Sequence, residues 1–527
     1  MCCESKAHRQ ARPRAAKKHT HFTMQTAVEE VGVECTATPV ARSQSAGQTD
    51  RHHLLLEAAA ANSEDGADQA GISHRLRRTP VWGASVNTIA FMCVPRTVPA
   101  CFAKTGWTLG VVSLLYSTVV TYDTGILLGR VCNALPRHAG CSFPELAAEA
   151  AAVFAARLGR DRPAQERWRR AGALSVAALQ HSCYYLTGVA ELIYFEQFCG
   201  QLFNTSPLCQ WQWLLIIGLL CLPVLQVPSF HATRFAALVF GVAPLILNVA
   251  VFLHEVLLVR PWACDPGPTY TAWPSAGGAA VGLSAFAYAF GGHGLYPEQI
   301  REMAQPTRWP RVMAITYATT IPLYWLCGVL GYYAYGDFSR ANINLNFPNN
   351  AANQLSIGVQ AAQELFFVLD SNLVVMLAIE LAVGLDPSAC CAPGWRGVAP
   401  WVGRLMVRTA FLASQVFCAQ MLLSGEGDTL LSLQGLTASV GMVAFTYFLP
   451  YVFYAILSPR PLSTSRKVWA GLNVVLGMVV MVAGFGSSLA ELLDGTGGMF
   501  NGKCRLPYAY APMSPLDPCN ISGLPYD

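Results

Sequence analysis

The sequence predicts an all-α membrane protein of eleven transmembrane helices. Of its 527 residues, 53% are hydrophobic and only 13% are charged. The 448 residues after position 79 hold just 46 Asp, Glu, Lys and Arg side chains. Through that stretch, apolar runs of about 20 residues recur, the length that crosses a hydrocarbon core roughly 30 Å thick. A soluble exterior meets water on all sides and cannot be built from so few charges. That excludes a water-soluble enzyme, and no G-x-S-x-G, H-E-x-x-H, phosphate-loop or metal-spaced Cys/His set is present. The net charge of +4 is scattered over loops rather than gathered in one stripe, which sets nucleic acid aside as a partner. The lipid bilayer is the partner that the composition requires.

Residues 1–79 are polar, rich in Ala, Arg, His, Gln and Ser, and lack the apolar core of a secretory signal. They read as a disordered cytosolic tail. Within it, Asp50-Arg51-His52-His53-Leu54-Leu55 has the spacing of an acidic dileucine signal for a sorting adaptor. Chance in an Ala/Leu-rich tail gives the same pattern. Residues 80–493 form one polytopic domain, with spans expected at 81–103, 107–132, 171–198, 211–227, 233–258, 276–296, 311–335, 355–383, 404–423, 433–457 and 468–493. Residues 494–527 form a tail on the outer or luminal side.

Orientation follows from Lys and Arg, which stay cytosolic in short loops. With the N-terminus inside, the inner loops carry 16 basic residues and the outer segments five: Lys104, Arg260, Arg340, Lys503 and Arg505. The glycosylation acceptors Asn204 and Asn520 both fall outside, in agreement. Most of the 18 cysteines sit in apolar runs as small hydrophobes. Cys209, Cys264, Cys504 and Cys519 lie on the outer face, where bridges or free thiols are equally compatible with the sequence.

Breaks in a spanning helix are costly unless they line a cavity. The first span reads ASVNTIAFMCVPRTVPACF, with Pro95 and Pro99 removing amide donors on either side of Arg96. The sixth reads LSAFAYAFGGHGLYPEQ, with Gly291, Gly292 and Gly294 around His293. These are corresponding spans of two five-helix halves, and paired interruptions of this kind mark a transporter's substrate site. Kinks used only for packing are the plainer alternative. Amides freed at a break can hold a carboxylate, and carbonyls can hold an ammonium or a cation.

Polar residues elsewhere gather on helix faces. Gln180, Tyr184, Thr187, Glu191 and Tyr194 fall within an arc of about 80°, and Gln360, Gln363, Glu364, Asp370 and Ser371 within about 120°. An intramembrane carboxyl is a site hypothesis because it is expensive there and can carry a proton. Glu191 and Asp370 are therefore proton-coupling candidates, with interhelical packing as the other reading. Glu380 and Glu196 are expected at span ends, and Asp123, Arg130 and Arg408 near the cytosolic surface. Arg96 is expected to pair with a substrate carboxylate or an acid such as Glu191, or else to snorkel to water.

The stretch FAYAFGGHGLYPEQIREMAQPTRWPRVMAITYATTIPLYWLCGVLGYYAYGD (286–337) resembles the amino acid/auxin permease family around its sixth and seventh spans. VPRTVPACFAKTGW, YDTGILLGRV, LPVLQVPSFHATRFAAL and LSLQGLTASVGMVAFTYFLPYVFY are similar to further motifs of that family, in order and over roughly 80–493. Among branches, the chain looks closest to vesicular inhibitory and vacuolar amino acid transporters. The resemblance implies a leucine-transporter-type five-plus-five inverted repeat with helices 1 and 6 broken. It also implies secondary active transport of amino acids, coupled to protons and less often to sodium, with no cofactor. Phe91, Met92, Cys93, Val94, Pro95, Phe290, Gly291 and Gly292 would then surround the substrate, joined by Tyr184. His293 is the first proton-linked residue expected, since histidine titrates near neutrality.

Departures from the family pattern stand beside it. Where relatives carry Gly-x-Gly before the proline, this chain has Thr88-Ile89-Ala90, Cys93 replaces a further glycine, and Ser424-Gly425 replaces a Pro-Phe pair. Val81 stands at roughly the register where some proton-coupled relatives have a histidine. Side chains where bare backbone would meet a ligand leave a second reading, a non-transporting amino acid sensor or membrane scaffold. The outer acceptors suit the plasma membrane or an acidic organelle, and the dileucine pattern favours a vacuolar, lysosomal or vesicle membrane.

Overall fold

The computed structural model describes residues 79–135, 142–203, 206–227, 230–263, 267–385, 395–423, 429–458 and 461–495. Leu54, Leu55, Asn204, Cys264, Cys504, Cys519, Asn520 and the pair Ser424-Gly425 lie outside them. Among the described residues the fold is helical, with one isolated bridge between Thr79 and Met303 and no strand.

Helix α1 (Val81–Met92) stops at Cys93, and a short 3₁₀ turn, Pro95–Thr97, leads into α2 (Val98–Ala134). The prolines explain the stop: Pro95 has no amide for the carbonyl of Phe91, so the helical ladder cannot run through. Cys93 (φ −86°, ψ 88°) and Val94 (φ −117°, ψ 65°) are accordingly non-helical. A second bend divides α2 at Gly106 (φ 68°, ψ −180°). A Cβ there would stand 2.5 Å from the Thr271 carbonyl oxygen. Gly106→Ala is therefore expected to destabilise the protein by about 1–3 kcal/mol, the range for backbone held where only glycine is comfortable. Thermal melting of the detergent-solubilised protein reads this, and an unchanged midpoint contradicts it.

Next come α3 (Phe143–Arg157), α4 (Arg162–Leu202), α5 (Gln210–Val224), α6 (Phe230–Ala236) and α7 (Ala243–Val259), the last two joined by a π-helical turn. Caps fix the starts: Ser142 accepts from the Glu145 amide, and Asp161 accepts from Ala164 with Pro163 in the first turn. Helix α8 (Ala276–Ala289), started by Ser275, stops before Phe290, and the chain resumes through a turn at His293–Leu295 into α9 (Tyr296–Glu302). Then follow α10 (Trp309–Tyr335), α11 (Ala351–Ala382) capped by Asn350, α12 (Trp395–Met421), α13 (Thr429–Thr437), α14 (Leu449–Leu457) and α15 (Thr464–Gly495). π-helical turns carry 438–448 between α13 and α14, with a bend of 45°. Pro450 cannot donate to the Thr446 carbonyl, so the α-helical register is already lost there.

By length and hydropathy, five described helices can cross a membrane, or six if the bent pair counts as one. The difference from eleven expected spans has a physical reason. Val81–Ala134 carries two expected spans joined through the Gly106 bend, while Gln210–Val224 and Ala276–Ala289 are apolar but short. Helix α4 reads as too polar because Gln180, Thr187 and Glu191 are turned inward and buried. Outward faces are the reverse: Leu219 is 72% exposed and Val482 70% exposed. Apolar side chains outside and polar ones inside suit hydrocarbon as the solvent.

Glu380, Arg408 and Glu196, expected near span ends, are buried within the protein. Glu380 receives Arg404 at 3.0 Å and pairs with Arg408, whose guanidinium also donates to the carbonyls of Leu225 and Val227, the latter at 3.0 Å. Those carbonyls follow the C-terminal end of α5, which attracts cations. Arg408 therefore caps a neighbouring helix from inside the protein. Asp123 does pair with a half-exposed arginine, Arg466, at 2.8 Å.

Candidate substrate site

The two helix stops meet. The hydroxyl of Tyr324, from the middle of α10, contacts the carbonyls of both Met92 and Ala289, the last residues of α1 and α8. It also accepts from the Val94 amide at 3.3 Å. One phenol thus serves backbone groups released by both breaks. A hydroxyl has a single proton and can donate to only one carbonyl at a time; the Met92 carbonyl also accepts from the Val94 amide at 3.1 Å, so the Ala289 carbonyl is the one that can be left for another donor. The Phe290 ring lies 4.5 Å from the Tyr324 ring, and Met92 comes within 3.5 Å of where a Gly292 side chain would begin.

The remaining expected residues surround this junction. Phe91 packs against Tyr184, ring centroids 6.2 Å apart. The Met92 sulfur accepts from Tyr296 at 3.2 Å. Gly291 is required by proximity, since a Cβ there would fall 2.1 Å from the Met442 sulfur. Gly294 likewise leaves room for the Tyr184 hydroxyl, which a Cβ would meet at 2.4 Å.

Two of the substituted span-one positions, Thr88 and Ala90, pack against other elements. Thr88 directs its hydroxyl to the side-chain oxygen of Gln299 on α9, 2.7 Å away. Ala90 is matched by Gly241 on the π turn before α7, where a Cβ would stand 2.3 Å from the Ala90 methyl. Cys93 packs with Ile89 and Leu245. The side chains that replace glycine are thus absorbed by α9, the π turn and α7.

His293 does not join the acids. Its Nε2 lies 2.8 Å from the Thr121 carbonyl and 3.1 Å from the Thr124 hydroxyl, both on α2. Because a carbonyl only accepts, Nε2 carries the proton. Asp370 is fully buried on α11, and neither carboxyl oxygen has a hydrogen-bond partner among the described residues. Glu191 accepts from Tyr288 at 2.8 Å and lies 3.5 Å from Arg96. Arg96 is only 9% exposed, so it does not snorkel, and its nearest carboxylate is Glu364 at 2.7 Å. Cys209 is disulfide-bonded, as is Cys132, which composition alone placed among the small hydrophobes.

Sequence reasoning missed Tyr324, Tyr288 and Met442. Tyr324 carried one signal, a phenol two residues after Pro322 in an apolar span. Tyr288 and Met442 carried none, because nothing local shows which helix they face.

The model of the transmembrane amino acid transporter protein family matches residues 82–490. The chain is 25% identical to lysine histidine transporter-like 8 of Arabidopsis thaliana, over 46% of each chain. It is 23% identical to the vesicular inhibitory amino acid transporter of Xenopus tropicalis, over 55% of each. To GABA transporter 1 of Arabidopsis thaliana it is 22% identical, over 73% of this chain and 85% of that one. The chain spans about half the length of the first two relatives. With a family match running through nearly all the described helices, on either side of both breaks, the chain is an integral membrane protein of the transmembrane amino acid transporter family.

Proposed function

We propose that the protein is a secondary active, proton-coupled transporter of amino acids that works by alternating access between the two inverted five-helix halves of an eleven-span fold. The observation that carries this reading is the meeting of the stops at Met92 and Ala289 on one phenol. Both halves then contribute backbone groups to one point, as a substrate's ammonium and carboxylate require. When Tyr324 donates to Met92, the Ala289 carbonyl is where the ammonium would bind. Phe91, Met92, Phe290 and Tyr184 would meet the side chain. Helices α1, α2 and α8 to α10 would rock against α4, α5, α11 and α12.

The sensor reading drew on the missing glycines of span one. Thr88 and Ala90 pack against α9 and the π turn rather than the junction, which favours the transporter. His293, Glu191 and Asp370 are the proton-linked candidates from the sequence, and a vacuolar, lysosomal or vesicle membrane suits a proton gradient. A panel of labelled amino acids offered to proteoliposomes with and without an imposed pH gradient tests the reading. Accumulation of one or a few amino acids that collapses with the gradient is expected. Ligand-induced thermal stabilisation without flux would assign the protein as a sensor instead.

A further inference from the structure

Three charged side chains from three helical segments converge at one point inside the protein. Arg96 comes from the turn after the first break, Glu191 from α4 and Glu364 from α11. One guanidinium nitrogen, Nη2, lies 2.7 Å from Glu364 and 3.5 Å from Glu191, so the two carboxyls are no farther apart than those distances allow together. All three residues are more than nine-tenths buried. The guanidinium also stands 4.1 Å over the Tyr194 ring and donates to Gln360 at 3.3 Å. Tyr288 from α8 donates to Glu191 at 2.8 Å. The second oxygen of Glu364 has no hydrogen-bond partner among the described residues.

The charges do not balance. Tyr194, Tyr288 and Cys221 are the other titratable side chains around these acids, and none brings a positive charge. One cation and two ionised carboxyls would leave a net negative charge among buried aromatic rings. An uncompensated buried ion costs several kcal/mol. Two carboxyls held this close share a proton, and it belongs to the pair rather than to either residue.

We propose that Arg96, Glu191 and Glu364 form a proton-binding site that holds one proton between the two carboxyls when the three are assembled. The inference deepens the transporter reading and rests on it for its consequence. Arg96 and Tyr288 lie on broken elements, whereas Glu191 and Glu364 lie on continuous helices, so the site straddles the boundary along which the halves would move. Separating Arg96 from the acids changes the number of protons the pair holds, which links proton movement to substrate movement. His293, held on α2, takes no part in this exchange.

Infrared difference spectroscopy of the full-length protein across a pH titration tests the site without any substrate. Wild type should show a carboxylic-acid carbonyl signal to which the site contributes one proton equivalent beside other buried acids such as Asp370. Glu364→Gln should reduce it by that one equivalent, and so should Glu191→Gln, because either change leaves one carboxylate opposite one arginine. If Glu364→Gln fails to assemble, Glu191→Gln gives the same reading. A wild type without the signal, or a signal undiminished by both substitutions, would overturn the proposal. In proteoliposomes, Glu364→Gln should lose at least tenfold in gradient-driven accumulation; undiminished accumulation would remove the site from coupling. If wild type moves no amino acid at all, the transport reading fails, and the infrared result still decides the site.

Discussion

Arg408→Leu is expected to lower stability by about 3–5 kcal/mol, the usual cost of removing one partner from a buried ionic cluster. The side chain is fully buried and joins three pieces of chain: Glu380 on α11, the turn after α5, and its own helix α12. Leucine would fill much of the space and supply none of the donors. The Leu225 carbonyl would lose the guanidinium and become an unsatisfied buried acceptor costing about 1–3 kcal/mol, while the Val227 carbonyl keeps Arg404 at 3.4 Å. Glu380 would keep Arg404 at 3.0 Å, so the loss stays at the lower end for a broken cluster. Lysine at 408 restores the charge without the fork geometry and should recover part of the loss. Melting of the purified protein, with the monodisperse fraction after solubilisation, measures this; a wild-type midpoint would show that the cluster contributes nothing.

Tyr324→Phe should have the second large effect, and it should fall on activity as well as stability. Phenylalanine keeps the ring against Phe290 and deletes only the hydroxyl. The Ala289 carbonyl then loses its phenol donor, while the Val94 amide and the Met92 carbonyl keep each other at 3.1 Å. At about 1–3 kcal/mol for a buried acceptor left unsatisfied, the segments after α1 and α8 would shift apart or admit water. Substrate exchange in proteoliposomes should fall at least tenfold, from a rise in KM as well as a fall in rate. Unchanged exchange would mean that the phenol only packs.

Much of this was legible in the sequence, and the parts that were not share one cause. Pro95 between Val94 and Arg96, and the glycines around His293, announce helix stops because their effects are local to the backbone. The inward turn of Gln180, Thr187 and Glu191 is legible too, since helical period fixes which residues share a face. Partners between distant segments are not. Nothing near Tyr324 reveals that its hydroxyl reaches 232 residues back to Met92 and 35 back to Ala289. Arg96 beside Glu191 was one of several pairings, and the shorter contact to Glu364 depends on how α11 packs against α4. Arg408 and Glu380 were assigned to interfaces from their positions near span ends, because sequence does not show where a neighbouring helix leaves its terminal carbonyls. The glycine losses in span one pointed to a damaged site only because Gly241, the compensating glycine, lies in another helix.

The central claim is that one substrate sits between the two helix stops. A structure of the protein bound to whichever amino acid the transport panel identifies tests it most directly. The account predicts ligand density within hydrogen-bonding distance of the backbone at 92–94 and 289–292, with its side chain toward Phe91, Phe290 and Tyr184. Density elsewhere in the protein, with Tyr324 still joining both stops as in the free chain, would contradict it.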